Sequence, residues 1–68
     1  MPERLANRLK ERRAELGLTQ AELAQRVSVT RKTVNTVENG VFTPSATLAI
    51  KLAAALELSV EQLFWIER

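Results

Sequence analysis

The chain has 68 residues and a mass of 7.6 kDa, with 46% hydrophobic and 26% charged side chains, a composition that folds as one globular domain. It holds no cysteine and no histidine, which excludes a disulfide scaffold, a thiolate or imidazole metal site, and Ser-His-Asp or Cys-His catalysis. Gly and Pro number two each, too little turn chemistry for many short strands, and the Leu, Ala, Glu and Arg content favours helices. No apolar run approaches the roughly 18 residues needed to span a bilayer. The first residues lead straight into charged sequence rather than a secretory signal, so the cytoplasm is the expected location.

A core this small supplies only a few kcal/mol, and chains below about 70–80 residues usually need a staple. With disulfides and His/Cys metal sites excluded, close helix packing and self-association remain. The net charge is only +2, but it is unevenly placed. Residues 1–35 carry eight basic and four acidic side chains, while residues 36–68 carry two and four. That asymmetry fits either a face that meets a polyanion or ordinary solvated helix surface.

Leu5, Leu9, Arg12/Arg13 and Leu16 follow a helical period, and Gly17 suits the left-handed residue after a helix. Thr19-Gln20-Ala21-Glu22 is a capping box that opens a second helix, with Leu18 and Leu23 as its hydrophobic staple. That helix runs through Ala24 and Val27 and stops near Ser28. A third helix is expected after a short break, capped by Thr30 and stapled by Val29 and Val34, ending at Asn39-Gly40. Thr33, Val34, Thr36 and Val37 are β-branched and make it intrinsically weak, so packing of Val34 and Val37 must hold it. Pro44 keeps Thr43 out of helix, and Ser45 caps a fourth helix with Leu48, Leu52 and Leu56 in register. Ser59-Val60-Glu61-Gln62 is a second capping box, stapled by Leu58 and Leu63, for a short helix expected to end in Phe64-Trp65-Ile66. The fold class is therefore all-α, a compact bundle of five short helices in one domain over 1–68.

Residues 20–38 read helix, tight turn, helix, and helices joined so tightly cross steeply. The outward face of the second helix carries Arg31, Lys32, Thr33, Asn35 and Thr36. Arg can pair with guanine O6/N7, Asn with adenine N6/N7, and Thr can hydrogen-bond or touch a thymine methyl. Asn and Thr weaken a helix relative to Ala, Glu or Lys, so they are unusual choices for a merely solvated face. On residues alone, a DNA-facing and a solvated reading both stand.

Thr19-Gln20-Ala21-Glu22-Leu23-Ala24, Val27, Thr30-Arg31, Val34, Val37-Glu38-Asn39-Gly40, then Pro44-Ser45, Leu48, Leu52-Ala53, Leu56, Ser59 and Leu63-Phe64 together resemble the helix-turn-helix of the phage repressor/Cro superfamily. The likeness covers about residues 4–66. It implies a lambda repressor-like fold and sequence-specific binding of double-stranded DNA. By position it implies base contacts from Arg31, Lys32, Thr33 and Thr36. Gln20 matches a residue that binds phosphate and braces the start of the recognition helix. Asn39, Thr43 and Ser45 match a stretch that touches phosphate, and Arg13 and Glu38 match a partly buried ion pair. Lys10 and Arg8 are further phosphate candidates, for which solvated surface is an equal reading. The family usually has Gly where this chain has Ser28 and Glu57, and a retained positive φ would cost about 1 kcal/mol at each.

The family commonly acts as a two-fold dimer on a near-palindrome. Phe64, Trp65 and Ile66 cannot all face one side of a terminal turn, and Ile50 extends with Ala46 and Ala54 along a stripe on the fourth helix. The expected dimer surface lies within residues 46–67, on Ile50, Ala54, Phe64, Trp65 and Ile66; a core-capping Trp65 is the alternative. Residues 64–67 could also form an extended end that pairs across the two-fold axis. The implied function is a homodimeric transcriptional regulator with no cofactor and no catalysis, blocking RNA polymerase or contacting it. The alternative is an interaction module such as an antitoxin that holds a toxin.

Overall fold

A computed structural model describes residues 2–68. Five helices surround one core: α1 (Leu9–Glu15), α2 (Gln20–Arg26), α3 (Arg31–Glu38), α4 (Ala46–Ala55) and α5 (Val60–Leu63). Four of them start where the sequence supplies a cap. Thr19, Thr30, Ser45 and Ser59 each accept a hydrogen bond from the backbone N–H three residues on, and Glu22 and Gln62 return the bond to complete two capping boxes. Helices of four to ten residues do not persist on propensity alone. They are held by Leu9, Leu23, Val34, Val37, Leu52, Leu56 and Leu63, all essentially inaccessible to solvent.

Helices α1 to α4 all end the same way. The residue after each C-cap is left-handed, at Gly17 (φ 68°), Ser28 (61°), Gly40 (73°) and Glu57 (61°). Two backbone bonds close each end; in α1 they run from Gly17 N–H to the Ala14 carbonyl and from Leu18 N–H to the Arg13 carbonyl. Ser28 and Glu57 thus keep the conformation that the family resemblance assigns to glycine, and the tight turn between α2 and α3 is preserved. The next residue is apolar in all four turns. Leu18, Val29 and Leu58 fold back onto the core, whereas Val41 is 78% exposed.

Two expectations about the chain ends are corrected. Residues Arg4–Asn7 form a strand, β1, so Leu5 belongs to no helix and α1 starts only at Leu9. Phe64–Glu67 form a second strand, β2, so the last helix stops at Leu63. The two strands pair antiparallel, Leu5 opposite Ile66 and Asn7 opposite Phe64, and an Arg4–Glu67 ion pair at 2.6 Å closes the outer end. The tail therefore pairs with its own chain. Phe, Trp and Ile suit a pleated half-buried ribbon better than a helix end, and pairing satisfies backbone groups that a frayed helix would leave open. Alternation along β2 sends Phe64 into the core and turns Trp65 to the opposite face; Ile66 shares the face of Phe64 but is 53% exposed. Phe64 is thus a core residue and is withdrawn from the expected dimer surface.

Candidate nucleic-acid interface

The site is built on α3. Val34 and Val37 are buried and fix which flank of the helix turns outward. Arg31, Lys32 and Asn35 then stand exposed, with Thr33 and Thr36 half-buried between them and the following loop. Among the described residues neither Arg31 nor Lys32 has an ion-pair partner, and the first turn of α3 holds no acidic residue. Two cations at the positive end of a helix are unfavourable by about 0.3–1 kcal/mol each. Phosphate near that turn would reverse the sign of the term.

The threonines are less free than their exposure suggests. Thr36 Oγ1 donates to the Thr33 carbonyl at 2.9 Å. The Thr30 and Thr33 hydroxyls lie 3.0 Å apart in one hydrogen bond, and Thr30 Oγ1 also accepts from Thr33 N–H as the cap. One hydroxyl proton of the Thr30–Thr33 pair and the Thr36 lone pairs stay uncommitted, beside the threonine methyl groups.

The far end of α3 is clamped from three sides. Arg13 Nε donates to Glu38 Oε2 at 2.8 Å, and Arg13 Nη1 donates to the Leu18 carbonyl at 2.9 Å. Gln20 Nε2 donates to Glu38 Oε1 at 3.0 Å. The bracing expected of Gln20 at the start of α3 is therefore found at its end, because the steep crossing brings the first residue of α2 beside Glu38. Asn7, which sequence reasoning missed, is the third brace. Its Nδ2 donates to the Val37 carbonyl at 3.1 Å while its Oδ1 accepts from Leu9 N–H at 3.0 Å. An Asn two residues before a helix was the available signal. Arg12 was also missed: its Nε donates to the Leu56 carbonyl at 2.8 Å and closes the end of α4.

The other predicted contacts fall in two groups. Asn39 caps α3, its Nδ2 donating to the Asn35 carbonyl, and Ser45 Oγ accepts from Leu48 N–H, which leaves its O–H as a donor. Both are exposed, as is Thr43 in the loop between them. Lys10 is exposed on α1, whereas the Arg8 guanidinium lies 5.2 Å from the centre of the Trp65 ring and is engaged with the tail. Ile50 and Ala54 are exposed along α4 together with Ala46.

A tight two-helix unit with its second helix exposed, cationic and rigidly braced is the architecture of DNA-reading domains. The Helix-turn-helix family matches residues 9–63, and the chain belongs to that family, in its Cro/C1-type branch of DNA-binding transcriptional regulators. It is 41% identical over 63 residues to YgzD of Bacillus subtilis strain 168, an uncharacterised HTH-type transcriptional regulator; the match covers 93% of this chain and 96% of YgzD. It is 36% identical over 59 residues to the antitoxin HipB of Escherichia coli K12, covering 87% of this chain and 67% of HipB. Its fold is similar to the crystal structure of C.AhdI, the restriction-modification controller protein of Aeromonas hydrophila, with a TM-score of 0.77, 38% identity, and 82% and 85% of the two chains covered. Among the described residues no helix is long and apolar enough to cross a membrane.

Proposed function

We propose that the chain binds a near-palindromic operator in double-stranded DNA as a homodimer and regulates transcription by occupying it. The observation that carries this reading is α3, whose exposed side chains are cationic or base-pairing types at a helix N-terminus where no acidic residue offsets them. Arg31, Lys32 and Asn35 reach base edges, with Thr33 and Thr36 beside them. Lys10, Asn39, Thr43 and Ser45 take phosphates, and Gln20 keeps one amide proton for the same purpose. An eight-residue helix reads few base pairs. Two copies set one helical turn apart, about 34 Å, read an inverted repeat.

The apolar stripe of Ala46, Ile50 and Ala54 supports a two-fold contact through α4; Ile50 is 60% exposed, and Trp65 and Ile66 add apolar surface from β2. A dimer parked over a promoter excludes RNA polymerase; one parked beside it can touch the enzyme. The work is done in the cytoplasm, where the chromosome lies, and needs no cofactor.

Selection of bound sequences from random duplex DNA at stated low salt tests the reading. An enriched site with two inverted half-sites is the expected result; no enrichment refutes it. Sedimentation at micromolar concentration tests the dimer. A single 7.6 kDa species for the wild type would sink it, and Ile50→Asp should dissociate it. The likeness to HipB favours one second reading, an antitoxin that holds a toxin through the exposed β2 residues Trp65 and Ile66 while α3 binds DNA. A toxin co-purifying from the native host, and released by Trp65→Ala, would support it.

A further inference from the structure

Val41 breaks a pattern that the rest of the chain keeps. Of the four apolar residues that follow the left-handed turns, it alone does not pack on the core. Such a residue ordinarily folds back onto the last turn of its own helix. Val41 N–H makes the same closing bond as in the other three turns, to the Thr36 carbonyl at 2.9 Å, but here Phe42 N–H adds a second bond to that carbonyl at 3.2 Å and holds the loop along α3. Val41 and Phe42 thereby form one wall of an open, mostly apolar groove whose other wall is Thr30, Lys32, Thr33 and Thr36. The groove is continuous with the base-reading flank of α3, and the charge of Lys32 stands at its rim. Within it the Thr36 hydroxyl proton is held by a backbone carbonyl, and one of the Thr30 and Thr33 hydroxyls donates its proton to the other.

Base-pair edges in the major groove are polar donors and acceptors with a single apolar exception, the 5-methyl group of thymine. We propose that Val41, with Thr33 and Thr36 opposite it, receives a thymine methyl and so makes Val41 a specificity-determining residue. This deepens the reading of α3 as a DNA-binding helix and rests on it.

The test uses the duplex returned by the selection experiment. Each thymine is replaced singly by deoxyuridine, which removes only the methyl, and each duplex is titrated with wild type and with Val41→Ala. Burial of one methyl corresponds to about a fourfold affinity difference. Wild type should lose about that factor at one thymine, and Val41→Ala should bind the thymine and uracil duplexes alike at that step. Val41 is exposed, so the variant should melt as wild type does. If no deoxyuridine weakens wild type, or if Val41→Ala weakens both duplexes equally, the methyl slot is wrong while DNA binding stands. If Val41→Ala changes the sedimentation of the free protein, the groove is a protein contact and the proposal also falls. Failure of wild type to bind any duplex defeats the DNA reading beneath it.

Discussion

Arg13→Ala should destabilise this domain as severely as the truncation of a large core side chain. Glu38 is the last residue of α3, where the helix dipole already disfavours a carboxylate, and its side chain is only 4% exposed. Three Arg13 donors hold this corner: Nε to Oε2 at 2.8 Å, Nη2 to Oε1 at 3.4 Å, and Nη1 to the Leu18 carbonyl at 2.9 Å. After truncation the buried carboxylate keeps only Gln20. Removing one partner of a buried pair costs about 3–5 kcal/mol, mostly from the charge left behind. A domain of this size has roughly 3–10 kcal/mol in total, so Arg13→Ala should be partly unfolded at 25 °C. Urea denaturation followed by far-ultraviolet circular dichroism measures the loss. The double variant Arg13→Met, Glu38→Leu removes both charges and should recover most of it. A single variant within about 1 kcal/mol of wild type, or a double variant worse than the single, would refute the reasoning.

Three further outcomes can be checked directly. Arg31→Ala should weaken operator binding by about 1–3 kcal/mol and relax preference at one base position; equal weakening on all duplexes would reduce Arg31 to a phosphate contact. Ser28→Gly and Glu57→Gly should each raise stability by about 0.5 kcal/mol or more, since left-handed strain removed from the fold outweighs the freedom added to the unfolded chain; a loss on thermal melting would contradict the φ of 61° at each site. Glu22 is held below the usual glutamate range by the Thr19 backbone N–H, then by the Thr19 hydroxyl, with a smaller contribution from Arg26. Its folded pKa is the lower one, so its stabilisation is present above the unfolded value and fades as pH falls through the folded one. The melting gap between wild type and Glu22→Ala should therefore be constant from pH 5.5 to 7 and close in more acidic buffer; a gap that widens with acid would show the sign to be wrong.

Much of the helical core was legible because its signals are local. Thr19, Thr30, Ser45 and Ser59 each sit within three residues of the amide they cap, and the apolar residues beside them repeat at helical spacing. The ribbon was not legible in the same way. Its strands have four residues each and lie at opposite ends of the chain, so Arg4-Leu5-Ala6-Asn7 shows too little alternation to oppose a helical reading that links Leu5 to Leu9. Only Phe64-Trp65-Ile66 carried a usable β preference. The bracing of α3 was half legible. Arg13 and Glu38 came from the family pattern, whereas Asn7 and the true direction of Gln20 depend on how α1, α2 and α3 cross, which no short window encodes.

The conflicts between local preference and global fold gather on α3. Its interior is β-branched or Asn, its first turn is cationic at the positive end of the dipole, and its last residue is anionic at the negative end. Elsewhere the first turn of α2 carries Glu22 and its last turn Arg26, the favourable arrangement. Such a concentration marks a helix kept for what it touches rather than for what it contributes to stability. The double reversal Arg31→Glu, Lys32→Glu separates the two. It replaces two unfavourable dipole terms with favourable ones, a gain of about 1–4 kcal/mol that should raise the melting temperature by roughly 4 °C or more. The same change turns the face that meets phosphate acidic and should abolish binding to duplex DNA. A double variant that melts lower than wild type would show that the cations stabilise α3 through contacts within the chain, and the strain would then no longer point to DNA.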